Sequence, residues 1–338
     1  MSEYNGKKPV TVITGCLGSG KTTLIQKILS NKDSKEDFAV IVNEFGQVGL
    51  DHHLIKRVEE RTVLLNGGCI CCNSREDLEE ELKDLLYADE SGKETFDRVI
   101  IETTGLADPA PILFTIMSNP LLQNRYVVDC VITTIDAKNG KIHLKNNPEI
   151  YKQLSVADKV IVTKIDIATE TEISELVANV KGINPTCEII YAENGDVNPS
   201  VVKLNKATIG ISNVKINEIS NKNHYSNDIH SISYTFSKPL NWVAFGLWLS
   251  MLLHAEGESV LRVKGLLDVG EEGPIVLNGV QHIIHPPKHL DTWPEGENIS
   301  HIIFILRGIS TDKLSESLFA FQEFLDTEVA VLENLKVL

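Results

Sequence analysis

Two short stretches of this chain carry residue types and spacings that can do chemistry. The first is Gly15-Cys16-Leu17-Gly18-Ser19-Gly20-Lys21-Thr22, a glycine-rich octet closed by Lys-Thr, which is the spacing of a phosphate-binding loop. In such a loop the glycines let backbone N–H groups converge on a β-phosphate, and the N-terminus of the following helix adds positive potential. Lys21 then reaches the β/γ oxygens and the Thr22 hydroxyl can ligate Mg²⁺. The second stretch is Cys69-Ile70-Cys71-Cys72, three thiols directly after Gly67-Gly68. Three thiolates suit a soft or borderline ion such as Zn²⁺ at roughly 2.3 Å, and the missing fourth ligand leaves a position for exchange. Side chains alternate along an extended chain, so the three thiols meet only if the segment turns, which the paired glycines permit. Buried packing or a redox pair is the rival use of the same thiols.

Two further motifs belong with the phosphate loop. Val99-Ile100-Ile101-Glu102 ends an apolar run on an acid, with Gly105 three residues on. An acid there can hold Mg²⁺ with Thr22, and the Gly105 amide can contact a γ-phosphate, so the segment can sense the group that hydrolysis removes. Thr163-Lys164-Ile165-Asp166 follows another apolar run. A carboxylate at Asp166 matches the N1–H and N2–H₂ donors of guanine, adenine offers no such pair, and the Lys164 stem can lie over a purine face. The motif is similar to N-K-x-D with Thr163 in place of Asn, and it favours GTP over ATP.

These motifs need a scaffold that brings them to one place. Between Val10 and Ala192, apolar β-branched runs at Val10–Thr14, Phe38–Asn43, Thr62–Leu65, Arg98–Ile101, Val127–Ile135, Lys159–Thr163 and Glu188–Tyr191 alternate with helical stretches. The helices are expected at Lys21–Ser30, Arg75–Ala88, Ile112–Met117, Glu149–Val156 and Glu170–Val180. That grammar specifies an α/β fold of the P-loop NTPase type, a mostly parallel sheet with helices on both faces. The phosphate loop, Asn43–Gly46, Cys69–Cys72 and Glu102–Gly105 each follow a strand, so all four should emerge at one carboxyl edge, where open α/β sheets bind ligands.

The first domain is expected over 1–213, a linker over 214–228, where Asn, Lys, Ser and His replace periodicity, and a smaller α+β domain over 229–338. In that domain strands are expected at Ser231–Phe236, Ser259–Val269, Pro274–Ile284 and His301–Ile309, with a turn at Gly270–Gly273. A helix near Leu240–His254 should bury Trp242, Phe245, Leu249 and Leu252, and a last helix should run near Thr311–Thr327.

Composition narrows the partners. At 338 residues, 42% hydrophobic and 23% charged, the chain is globular and long enough for two cores. Lys+Arg 32 against Asp+Glu 47 leaves a net charge of -15, which opposes the counterion release that nucleic-acid binding depends on, and equally opposes anionic membranes. No run reaches the roughly 20 apolar residues of a membrane span, and the first residues lack the apolar core of a signal peptide, so a cytoplasmic protein is expected. Six Cys with three clustered point to metal or redox chemistry; Cys16, Cys130 and Cys187 read as packing residues. His52 and His53 follow Asp51 and read as solvated loop residues or a fourth metal ligand.

With these residues in view, the chain resembles the CobW family of P-loop GTPases, relatives of the nickel chaperones UreG and HypB. The resemblance is carried by GCLGSGKTT at Gly15–Thr23, NEFGQVGLD at Asn43–Asp51, GGCICC at Gly67–Cys72, IETTGLADPAP at Ile101–Pro111 and TKID at Thr163–Asp166. It extends into the second domain through VLRVKGLLDV and LNGVQHIIHPP. The resemblance implies nucleotide-dependent handling of a transition metal, commonly zinc and in some members cobalt, with delivery to a client metalloprotein. By analogy GTP binding exposes or releases the metal and hydrolysis resets the protein. Two departures matter: of the carboxylates some relatives place along Val42–Gln47 only Glu44 is present, and the linker carries no histidine-rich tract, only His224 with His230 just beyond it.

The resulting expectation is a slow, Mg²⁺-dependent GTPase in which Lys21 stabilises phosphoryl charge and Thr22 with Glu102 positions Mg²⁺. Cys69, Cys71 and Cys72 hold Zn²⁺ or Co²⁺, and Glu44 and Asp51 are the candidates for a water-orienting or further metal-binding acid. Besides the client, a second copy of the chain is a partner to test for. Two rivals use the same residues: a small-molecule kinase with structural cysteines, and a metal-binding regulator that carries nucleotide as a structural ligand.

Overall fold

The structure is a computed structural model describing residues 4, 6–31, 36–42, 62–65, 75–204, 229–294, 299–321 and 329–332. The chain separates into two compact units, each built on its own sheet. The first carries seven strands: β1 (Lys8–Gly15), β2 (Phe38–Val42), β3 (Thr62–Leu65), β4 (Arg98–Glu102), β5 (Tyr126–Asp136), β6 (Lys159–Thr163) and β7 (Glu188–Ala192). Its helices are α1 (Lys21–Leu29), α2 (Arg75–Glu90), α3 (Ala110–Ser118), α4 (Leu122–Arg125), α5 (Gly140–Asn146), α6 (Glu149–Val156) and the first part of α7 (Glu170–Ile183), whose residues from Ala178 onward group with the second unit. The strand order is β3-β2-β4-β1-β5-β6-β7 and every pairing is parallel. β2, β4 and β6 are buried at every residue, as strands covered on both faces must be. Leu24, Ile25 and Ile28 of α1 pack with Ile13, Val40, Ile100 and Ile132 on one face. On the other, the hydroxyl of Thr133, the neighbour of Ile132, donates to the Gln153 carbonyl of α6 at 2.8 Å.

Because all seven strands run the same way, Gly15, Val42, Leu65, Glu102, Asp136, Thr163 and Ala192 end on one edge. The chain reverses its winding beside β1, which has β4 on one side and β5 on the other, and such a switch point opens a crevice at the carboxyl edge. The amino half of the sheet is locked differently. Arg98, fully buried, donates to Asp129 at 2.7 Å, to the Thr11 hydroxyl at 3.1 Å and to the Val202 carbonyl at 3.2 Å. That cluster ties β4, β1 and β5 together far from the crevice.

The second unit is antiparallel. Its strands are β8 (Ile229–Phe236), β9 (Val260–Leu267), β10 (Ile275–Val280), β11 (Ile283–Ile284), β12 (Lys288–His289), β13 (Ser300–Arg307) and β14 (Val329–Leu332). They are arranged β11-β10-β9-β13-β8-β14 with β12 beside β10. Helices α8 (Trp242–Glu256) and α9 (Thr311–Ala320) complete it, and Phe245 and Leu249 are buried in its core with Trp242 and Leu252 packed at the margin. The strand expected over Pro274–Ile284 is in fact two: Gln281 takes a left-handed φ of 52°, and β11 folds back on β10. The expected strand is broken by the polar pair Gln281-His282, and a hairpin there needs only one residue able to adopt positive φ. The short strands β12 and β14 were not anticipated. The expected linker 214–228 lies outside the described residues, as does the far end of the helix expected to reach Thr327. Among the described residues, no helix is long and apolar enough to cross a membrane.

Candidate functional site

The crevice is built around the turn from β1 into α1. Gly15 has a φ of 137°, which L side chains rarely adopt, and a Cβ there would sit 2.3 Å from the Thr134 carbonyl oxygen. Only glycine lets β1 end this close to β5. The loop beyond it is held by two neighbouring strands. The Ser19 and Thr134 hydroxyls share a hydrogen bond of 2.6 Å, and the Thr163 hydroxyl of β6 donates to the Ser19 carbonyl at 2.7 Å. The Thr163 methyl also lies 3.6 Å from where a Gly20 Cβ would be. Thr163 therefore serves the loop, tying its backbone to the strand that leads to the expected base-reading motif. Lys21, 7% exposed, donates to the Gly15 carbonyl at 3.0 Å and the Cys16 carbonyl at 3.2 Å. Its ammonium thus sits over the mouth of the loop, where phosphate oxygens can replace those carbonyls.

The structure brings the cation pair together. Thr22 Oγ1 donates to Glu102 Oε1 at 2.7 Å although the residues are 80 positions apart. An oxygen pair of this kind, one of them a buried carboxylate, suits a hard cation such as Mg²⁺. Gly105 lies against the phosphate loop so closely that a Cβ would come within 2.4 Å of Leu17 N and 2.8 Å of Leu17 Cα. This segment has an anchor that the sequence did not reveal. Fully buried Gln153, from α6, donates through Nε2 to the Ala107 carbonyl at 3.0 Å and the Gly105 carbonyl at 3.3 Å. A lone Gln in an amphipathic helix carries no signal of that role.

At the end of β6 Lys164 takes a left-handed φ of 55°. Such a conformation costs a non-glycine residue about 1 kcal/mol and persists only where the surroundings enforce it. Here Lys164 Nζ donates to Asp136 Oδ2 at 2.6 Å. Asp136, 1% exposed, is a second residue that sequence reasoning missed. Burial pushes its carboxyl up, but Lys164, Asn139 and two backbone N–H groups outweigh it and hold the group below the usual carboxylate range. Asp166 sits exposed in a 3₁₀ turn, Ile165–Ile167, immediately beyond. A third missed feature follows β7: Asn194 and Gly195 both have positive φ, and Gly195 packs on Thr23, 3.0 Å from its methyl by the Cβ measure. The Asn-Gly pair is a turn signal that could have flagged it.

Cys16, Cys130 and Cys187 are buried, as expected of packing residues, and burial pushes the Cys16 thiol up. Cys69, Cys71, Cys72, Glu44, Asp51, His52 and His53 lie outside the described residues. Among the described residues no group of three or more His, Cys, Asp or Glu is placed to hold a metal ion. The strand that leads into the cysteines is described, and Leu65 ends β3 at the same edge as Gly15.

Residues 9–191 match the nucleotide-binding domain of the CobW/HypB/UreG family, more than half of the chain, and residues 229–322 match the C-terminal domain of the cobalamin synthesis protein cobW. The chain belongs to the CobW family. Its phosphate loop, Glu102, Gly105, Asp136 and Thr163 all fall inside the first CobW match. The zinc chaperone YjiA of Escherichia coli K12 is 33% identical over 308 residues, covering 89% of this chain and 93% of YjiA. The zinc-regulated GTPase metalloprotein activator 1 of Schizosaccharomyces pombe is 29% identical, covering 81% of this chain and 75% of its own. The crystal structure of Zn(II)-bound YjiA GTPase superimposes with a TM-score of 0.70 at 28% identity, over 93% of this chain and 99% of that one.

Proposed function

We propose that this CobW-family chain is a Mg²⁺-dependent GTPase that binds a zinc ion through Cys69, Cys71 and Cys72 and delivers it to a client metalloprotein. The observation that carries the reading is the half-buried contact between Thr22 and Glu102 at 2.7 Å, on the sheet edge where β3 also ends before the cysteines. Likeness to a zinc chaperone across nine-tenths of the chain supports the choice of metal.

Thr22 and Glu102 are the residues that would hold Mg²⁺, which when bound would supply charge neutralisation to the phosphates. Lys21 exchanges its loop carbonyls for β/γ oxygens and stabilises negative charge on the transferring phosphoryl group. The Gly105 amide meets the γ-phosphate and Gln153 keeps that segment against the loop until it does. Leu106, 65% exposed, stands where many GTPases carry a water-orienting side chain, so the base falls to Glu44 or Asp51 and intrinsic turnover is slow. Asp166 reads guanine.

The strand order gives the coupling a distance. β3 lies three strands from β1, about 14 Å at a spacing of ~4.8 Å. Any signal from the phosphate loop to the end of β3 has that span to cross. The test is titration of the reduced protein with Zn²⁺ and Co²⁺, with and without Mg²⁺ and a non-hydrolysable GTP analogue. Cys71→Ser should weaken metal binding and leave GTP binding intact; Lys21→Ala should do the reverse and abolish any nucleotide effect on metal. Metal affinity unchanged in the cysteine variant removes the site.

A further inference from the structure

We infer that Asp136, at the end of β5, is a positioning residue that fixes Lys164, and through it Asp166, for reading the base; the inference rests on the proposal that 163–166 takes guanine.

The geometry around Asp136 is complete. Oδ1 accepts from the backbone N–H of Lys138 at 2.7 Å and of Asn139 at 3.1 Å, and Oδ2 accepts from Asn139 Nδ2 at 2.9 Å and from Lys164 Nζ at 2.6 Å. A carboxylate has about four acceptor sites, so these four donors fill it. Three of them come from its own turn and orient the carboxylate independently of Lys164. A second bond runs alongside, from Ala137 N to the Thr163 carbonyl at 2.9 Å, so the ends of β5 and β6 are fastened by backbone and by side chain. Lys164 is thereby gripped from both directions, with Thr163 tied to the phosphate loop at Ser19 and the ammonium tied to Asp136. The Lys164 side chain stays 38% exposed, and with its tip held on a buried carboxylate the methylene stem is the surface left for a flat base. The turn that presents Asp166 is closed by Ile167 N donating to the Lys164 carbonyl at 3.3 Å. Releasing Lys164 from its left-handed conformation therefore moves the residue that recognises guanine.

The experiment uses the full chain and fluorescent GDP and ADP analogues, titrated at equilibrium. Asp136→Asn should weaken GDP binding about tenfold, the scale of one charge-assisted hydrogen bond, and leave ADP binding within about twofold, so that the GDP-to-ADP selectivity falls with it. Lys164→Met should lose the same selectivity, and the double variant should lose no more than either single one. Asp166→Asn tests the underlying reading separately: an amide in place of the carboxylate should reject guanine and accept xanthosine diphosphate, whose C2 carbonyl it can donate to. No such switch at Asp166 sinks the base assignment itself. A switch at Asp166 with selectivity retained in Asp136→Asn, or with losses that multiply in the double variant, overturns the role of Asp136 alone. Should Asp136→Asn not fold, Lys164→Met decides, since its side chain is partly exposed, and undiminished guanine selectivity in that variant overturns the inference.

Discussion

Gly105→Ala isolates the contact between the segment after β4 and the phosphate loop. Gly105 has no left-handed φ, so alanine fits its backbone and the perturbation is steric alone. The new Cβ would stand 2.4 Å from Leu17 N and 2.8 Å from Leu17 Cα, where ordinary contact begins at 3.4 Å, and both neighbours are backbone atoms that cannot rotate away. The two segments must therefore separate by about 1 Å, which at the scale of core overpacking costs about 1–3 kcal/mol. Which side yields follows from how each is held. The loop is pinned by Ser19 to Thr134 and by Thr163 to the Ser19 carbonyl, whereas beyond Thr103, which bonds to Ile13 and Thr14, the segment at Gly105 is held by Gln153 bonds of 3.0 and 3.3 Å. The segment should move and the loop should stay. GDP, which needs only the loop, should bind within about twofold of the parent, while a non-hydrolysable GTP analogue should lose about tenfold or more, corresponding to at least ~1.4 kcal/mol. Equilibrium titration with both nucleotides in the presence of Mg²⁺ measures this. Equal losses for GDP and the GTP analogue would show that the loop is the softer partner, and unchanged binding of both would refute the steric reasoning.

Two stability predictions come from groups away from the crevice. Burial, with Asp77 and Asp84 nearby, pushes the Glu81 carboxyl up to about 7 from its ordinary 4.5. A folded pKa above the unfolded one means that its contribution is fully present below about pH 4.5 and is lost as pH rises through 7. Glu81→Gln should accordingly raise the melting temperature at pH 8 and leave it nearly unchanged at pH 5; an equal gain at both would contradict the assignment. At the amino half of the sheet, Asp129→Asn leaves the fully buried Arg98 without its carboxylate at 2.7 Å and should cost about 3 kcal/mol in urea unfolding. Nucleotide affinity measured where the variant is folded should not change, because the pair lies at the opposite end of β1 from the phosphate loop.

Much of the site is legible in the sequence because its chemistry demands contiguous residues. A phosphate is cradled by successive backbone N–H groups, so Gly15 to Thr22 must be adjacent in the chain, and the proposed metal ligands Cys69, Cys71 and Cys72 are likewise neighbours in the sequence. The parallel sheet is legible for a similar reason, since strands buried on both faces read as unbroken apolar runs, and from it follows the shared edge to which Glu102 and Thr163 belong. What holds those groups in place was decided only by tertiary structure. Thr163 meets Ser19 across 144 positions, Gln153 meets Gly105 across 48, and Lys164 meets Asp136 across 28. An aspartate ending a strand or a glutamine inside a helix is locally ordinary. Its role exists only after strand order has set β5 beside β6 and α6 against the face of β5, because a hydrogen bond depends on an approach within about 3 Å that no spacing along the chain encodes.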